Sequence, residues 1–379
     1  MKLSLRKPIN RWLDRFGEYE ASLPFYRVLL GFWLLVTKVP TGSWLKEAPA
    51  ALLFPPPGTP LLVGSTPPSW AVDMATLFIA VFASLLMCGV LTRWAALGLF
   101  GLLLTVNTWM YAFGKIDHDI LILLGLLILA FSNWGRTFRL GPTDLDTSAS
   151  GNRAWVTGIF ALAIGLAMFT AALPKLFSGW LDPTRSAARF RFLENHYVTG
   201  RSGPATELFL NWDPALFWIA ADLGTVLLEG AILFFVITPR LFRLACAAAA
   251  IFHLGIWALM DIDFHANVIA YAAFVRWDLV LSPLRRLTVP PPLKMTNKRA
   301  LLVSVLSGMA FGMLVIVIGS PPHGIQSVIF GRPVLEPALL FIGGTAGLVY
   351  ITFWIYSTIG RRSRAAFLRT GSERSSRLR

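Results

Sequence analysis

An all-α, polytopic integral membrane protein is the fold class this chain predicts, and three observations predict it. Of its 379 residues, 55% are hydrophobic and only 14% charged, whereas a soluble globular domain carries about a quarter charged residues. Apolar segments close to the ~20 residues that a helix needs to cross a bilayer recur along the whole length. The Lys and Arg residues that give a net charge of +14 lie between and beyond those segments. They do not form one face interleaved with aromatics, so they read as membrane topology and not as a nucleic-acid surface.

Taken in order, Met1 to Gly17 is basic and interrupted by Arg11, Asp14 and Arg15, with no small-residue cleavage site. It reads as an amphipathic cytoplasmic lead-in, part of a segment 1–22, and not as a cleaved signal. Spans are expected at Leu23 to Pro40, Ala71 to Val90, Trp94 to Phe113, Ile120 to Trp134, Trp155 to Leu173, Ala215 to Ile237, Leu241 to Met260, Asn267 to Leu281, Ala300 to Ile318 and Pro337 to Ile359, about ten in all. The triple proline at 290–292 separates a helical membrane domain, 23–285, from two further helices in 286–360 and a basic tail, 361–379. Cys88 and Cys246 lie inside apolar runs and read as small core residues.

Orientation follows from the bias of Lys and Arg toward cytoplasmic loops. Arg93, Arg136, Arg139, Arg153, Arg240, Arg243, Arg285, Arg286 and the tail from Arg361 fall on the N-terminal side of the membrane. The other side has one dense cluster, Arg185, Arg189, Arg191 and Arg201. Both termini are therefore expected in the cytoplasm. Phe177 to Pro214, outside, is too polar to span but rich in Trp, Phe and Leu, which predicts an interfacial helix. Thr41 to Trp70 is proline-rich and predicts an irregular cap, with a short helix around Ala50 to Phe54.

Ionisable residues in or beside a span cost roughly 2.5 to 3.5 kcal/mol on insertion scales, which makes each a functional candidate. Lys115, Asp117, His118 and Asp119 fall at one outer turn, Lys175 at the end of another span, and Asp261, Asp263 and His265 at a third turn. Such charges also serve in the headgroup region, where Lys snorkels and Asp caps a helix. Lys175 follows Pro174 and precedes Leu176 and Phe177, an apolar setting that brings a lysine toward use as a base. Deeper, Asp222 and Glu229 share a helix face, and Glu229 and His253 reach similar depth on antiparallel neighbours, within reach of a Glu–His hydrogen bond or of simple helix-to-helix glue. No G-x-S-x-G, P-loop, H-E-x-x-H or C-x-x-C occurs, and His253 with His265 lacks i,i+4 spacing, so no metal is expected.

Three stretches resemble one family. The run 171–180, AALPKLFSGW, the run 117–127, DHDILILLGLL, and the run 228–240, LEGAILFFVITPR, followed by Phe252 and His253, are similar in order and spacing to the horizontally transferred transmembrane (HTTM) domain proteins, bacterial relatives of vitamin K-dependent gamma-carboxylase. The resemblance covers roughly Leu23 to Leu281. It implies a lipid quinol (menaquinone or vitamin K-like) as cofactor, Lys175 as the base that deprotonates it, and His118 in support. Reaction of the quinol with oxygen would then follow, with epoxidation and possible carboxylation, at a site facing the non-cytoplasmic side of a bacterial inner membrane. The large lumenal region of the carboxylase has no counterpart after Leu281, which leaves the acceptor substrate open.

On this reading Trp109, Tyr111 and Trp180 are candidates to stack on the quinone ring, or members of an ordinary aromatic belt. Glu229, His253, Asp117, Asp261 and His265 are candidate supports. Expected partners are membrane lipid and a protein at the outer face. The alternative is a non-catalytic, DoxX-like membrane subunit that docks a partner through Phe177 to Pro214 or the last two spans. A transporter would favour two related halves, and none is visible.

Overall fold

In the computed structural model, which describes residues 6–40, 42–54, 64–113, 118–140, 153–182, 184–282, 295–318 and 334–377, the apolar runs are helical and no strand occurs among the described residues. In chain order these are α1 (Arg6–Arg15), α2 (Leu23–Thr37), α3 (Ser69–Cys88), α4 (Thr92–Ala112), α5 (Ile120–Leu129), α6 (Ala154–Phe177), α7 (Ala187–Tyr197), α8 (Thr206–Trp212), α9 (Ala215–Phe235), α10 (Pro239–Met260), α11 (His265–Tyr271), α12 (Trp277–Val280), α13 (Asn297–Ile318) and α14 (Leu335–Arg377). Seven of them (α3, α4, α6, α9, α10, α13 and α14) contain apolar stretches of 20 to 24 residues. At about 1.5 Å per residue each reaches the ~30 Å of a bilayer core.

The other three expected spans are shorter helices. α2 has 15 residues and α5 has 10. α5 stops because Ser132 turns back on it, its Oγ donating to the Leu129 carbonyl at 2.7 Å and accepting from the Trp134 amide at 3.3 Å. The Arg153 guanidinium donates to the next carbonyl, Phe131, at 2.8 Å. The run Asn267 to Leu281 breaks into α11, a 3₁₀ turn at Ala272–Phe274 and α12. Here Arg276 and Asp278 pair through two contacts of 2.9 and 2.8 Å. Residues two apart point to different faces of a continuous helix; here the chain extends at Val275, and Arg276 itself is non-helical, with φ −76° and ψ 70°, which lets them meet. The expected helix near Ala50 is a single 3₁₀ turn, Ala50–Leu52.

The lead-in is part of the core. Phe16 and Tyr19 are fully buried, with Leu30, Phe160 and Phe242 in the same cluster. Trp12 Nε1 donates to the Val236 carbonyl at 2.9 Å, and Tyr19 Oη to the Pro239 carbonyl at 3.2 Å. These bonds cap the chain reversal between α9 and α10. Cys88 and Cys246 are free thiols.

Arg27, on α2, is fully buried in an otherwise apolar interior. Its guanidinium donates to the carbonyls of Leu86 and Met87 (2.9 Å) at the end of α3, and to those of Trp134 (3.0 Å), Thr137 (3.1 Å) and Phe138 (2.5 Å) after α5. The last carbonyls of a helix lack partners within it and carry its negative dipole end, so a cation fits there. Gly89 ends α3 at φ +74°, and a side chain there would strike Arg139 Cβ and crowd the Arg27 guanidinium.

The expected interfacial segment forms two short helices that fold back over the start of α9. Asp222 Oδ1 accepts from the Ala188 amide at 2.7 Å, and Phe192 packs on Trp218 with centroids 5.0 Å apart. Arg189 grips Asp213 with contacts of 2.8 and 2.5 Å, and Trp218 Nε1 donates to the same carboxylate at 2.9 Å.

Two outcomes follow from these contacts. Arg27→Met leaves five carbonyls without their donor, and we expect a loss on the order of 3 kcal/mol or more, read as a lower unfolding midpoint in detergent. Arg27→Lys should recover little, since an ammonium lacks the five-donor fork; an unchanged melt in either variant would contradict the role given to Arg27. The hydrogen bonds of Arg189, then of Trp218, hold the Asp213 carboxyl below its ordinary 3.8. Its contribution is therefore present above pH 3.8 and disappears as pH falls further, through the folded-state value. Amide exchange across 187–212 should accelerate on that descent, and Asp213→Asn should remove the pH response.

Candidate functional site

Lys175 lies in the last turn of α6, and Glu229 lies well inside α9. The sequence puts them at different depths, but α7 and α8 fold beside the first turns of α9, so α9 runs on past the end of α6. The result is a pair: Lys175 Nζ donates to both Glu229 carboxylate oxygens, at 2.6 and 2.5 Å. The Glu229 side chain is 9% exposed and that of Lys175 22%. The Trp180 ring faces the ammonium at 5.2 Å, in the range of a cation–π contact.

The Glu229–His253 hydrogen bond that the sequence allows does not form; Glu229 pairs with Lys175. His253, on α10, instead meets α11: its Nε2 is 3.1 Å from Tyr271 Oη and 3.5 Å from Asn267 Nδ2. Tyr271 in turn donates to Met168 Sδ, on α6, at 3.7 Å. Three aromatic rings then run outward. His253 stacks on Phe264 with centroids 4.5 Å apart and planes at 16°, and Phe264 meets His118 at 4.1 Å. His118 thus joins His253 through Phe264 in one row of rings.

Beyond Phe264 is a second polar group. Lys38, at the end of α2, pairs with Asp119 at 2.5 Å. His265 Nδ1 lies 2.6 Å from Asp263 Oδ2, and its amide donates to Asp263 Oδ1 at 2.9 Å, an Asx turn that starts α11. Burial would raise the Asp263 carboxyl, but the bonds from His265 and the nearby Lys38 outweigh it and hold the group low. Trp33 lies between, 5.4 Å from His265 and 5.6 Å from Lys38. Although the sequence has no metal signature, ligand atoms of Asp263, His265 and Glu336 lie within 4.8 Å of one another and could hold a cation. Glu336 comes from the start of α14, too distant in sequence to form a motif.

The remaining candidates separate. Asp117 and Lys115 lie outside the described residues. Asp261 ends α10 in the left-handed conformation, and partial burial lifts its carboxyl. Asp119 caps no helix with its side chain; the Lys38 ion pair engages it. Trp109 packs in a small separate cluster with Leu45, Val72, Val106 and Met110, so of the aromatic candidates Trp180 reaches Lys175 and Trp109 does not; Tyr111 is half-buried on the same helix as Trp109. Lys38, Phe264, Asn267, Tyr271 and Glu336 are the additions. Lys38 and Glu336 carried a signal, since each is a charge at the end of an apolar run.

Chemically, the inner locus sets a lysine–carboxylate pair, a histidine and a phenol in apolar walls. Its polar atoms are incompletely used: among the described residues, His253 Nδ1, His265 Nε2 and Asn267 Oδ1 are buried without a hydrogen-bond partner. Such atoms fit a ligand that brings its own donors and acceptors into an apolar pocket. Comparisons with family models, with curated proteins and with solved structures returned no match.

The pairing makes a thermodynamic prediction. Glu229→Gln leaves an ammonium without its counter-charge and should destabilise the protein by on the order of 2 kcal/mol. Adding Lys175→Met should return part of that loss, so a double-mutant cycle on thermal unfolding yields a coupling of about 0.5 to 3 kcal/mol. Strict additivity would mean that the two residues do not act as a pair.

Proposed function

We propose that this chain is a membrane enzyme of the HTTM type that binds a lipid quinol between its helices and uses the Lys175–Glu229 pair as base. The observation that carries the reading is Lys175 Nζ held between both oxygens of Glu229 at 2.6 and 2.5 Å, beside Trp180. A lysine must be neutral to accept a proton. The adjacent carboxylate favours the ammonium, so the resting pair is ionic; Lys175 becomes a base only once its proton has passed to Glu229, the acceptor in contact with it. Trp180 would flank the ring of the ligand, and His253 Nδ1 and Asn267 Oδ1, buried and unpartnered, would bond its oxygens. The bound quinol supplies the two-electron chemistry with oxygen. His118 acts through Phe264 and His253, as a positioning residue. Both termini lie in the cytoplasm on this reading, with α2, α5 and the α11–α12 segment completing a set of about ten membrane elements.

A second reading, a non-catalytic subunit, is favoured by a different observation: α7 and α8 leave Phe190, Leu208 and Trp212 each more than 60% exposed, with Tyr197 and Val198 beside them. That surface suits a membrane interface or a partner protein.

One experiment separates the readings. Lipid extracts of the purified protein should contain quinone, and added quinol should drive oxygen consumption. Lys175→Ala should slow turnover about 100-fold or more, the usual scale for loss of a positioned base, and His118→Ala should slow it less. Absence of quinone together with turnover indifferent to Lys175 would leave the subunit reading.

A further inference from the structure

α10 and α14 run antiparallel and touch closely along their middles, where a side chain at Gly347 would strike the Ala247 carbonyl oxygen. Toward Pro239 they part. The opening is a groove of about 440 Å³ lined by Arg240, Arg243, Tyr350, Phe353, Trp354, Ser357 and Thr358. It lies at the end of α10 opposite Asp261, away from the Lys175 site.

The two guanidinium groups have capacity to spare. Arg240 is exposed and forms no hydrogen bond or ion pair among the described residues. Arg243 rests on the Tyr19 ring at 5.7 Å, but it comes no nearer to the Glu18 carboxylate than 3.6 Å, and its buried Nε has no hydrogen-bond partner. Both sit in the opening turns of α10, at the positive end of its dipole. The Ser357 and Thr358 hydroxyls donate to the Trp354 carbonyl at 2.9 and 2.8 Å, which leaves recognition to the arginines. The opposite wall is aromatic, and Phe353 is 67% exposed.

We propose that this groove binds the headgroup of an anionic phospholipid, with Arg240 and Arg243 on the phosphate and the Tyr350, Phe353 and Trp354 rings along the glycerol and first acyl carbons. Guanidinium forks match phosphate oxygens, and basic pockets between membrane helices bind anionic headgroups. A soluble phosphate shares the arginines and makes no use of the aromatic wall, which is why the lipid is the occupant.

The full chain in nanodiscs of mixed phosphatidylglycerol and phosphatidylcholine, released into native mass spectrometry, tests this. Phosphatidylglycerol should be retained in preference to phosphatidylcholine. Arg240→Glu, at an exposed position outside the folding core, should weaken that preference about fivefold or more, as expected for one arginine near an anionic surface; Arg240→Lys should keep most of it. Excess inorganic phosphate should leave the retained lipid in place. Equal retention of both lipids, an unaffected Arg240→Glu variant, or displacement by inorganic phosphate would each overturn the proposal.

Discussion

In lipid no water is available to satisfy a polar backbone group, so a carbonyl that falls outside a helix must find its partner within the protein. Arg27 answers that constraint for a whole quarter of this bundle. The end of α3 and the turns after α5 present five carbonyls to one fully buried guanidinium. α5 can be short because its irregular continuation is bonded there, and α3 can stop at Gly89 because its last carbonyls are covered. A charged residue that looks costly in the sequence of α2 is what allows non-helical backbone at this place.

The same trade between regularity and polar contact produces the candidate site. α11 and α12 are fragments of what a continuous apolar run leads one to expect as a single helix. The fragmentation turns His265, Asn267 and Tyr271 inward on a short element that packs against α10. α9, braced by α7 and α8, extends beyond α6 and carries Glu229 to Lys175. Broken elements supply the donors and acceptors, and the long helices supply the walls.

Composition and apolar run length sufficed for the helical class and for the seven long helices, since hydropathy over ~20 residues is a direct measure of what lipid accepts. They did not reveal that Ser132 would end α5, or that Arg276 and Asp278 would break a helix to meet, because those outcomes depend on local side-chain bonds. Lys175, Glu229 and His253 were legible as expensive charges. Which of them pair was not, for the choice depends on how far α9 overshoots α6, a consequence of α7 and α8 that no local pattern encodes. Trp109 shows the converse: an interfacial aromatic reads the same whether it lines a site or packs under a loop.

The distance in sequence between Lys175 and Glu229 has a bearing on biogenesis. The two residues are 54 positions apart, so α6 is synthesised and delivered to the bilayer well before α9 exists. During that interval Lys175 has no counter-charge, and its place near the end of α6 lets the ammonium remain at the water boundary. Arrival of α9 then draws it inward. Completion of the site is thereby tied to the order of insertion, and a nascent chain arrested before α9 would present a free lysine to the interface instead of a closed pair.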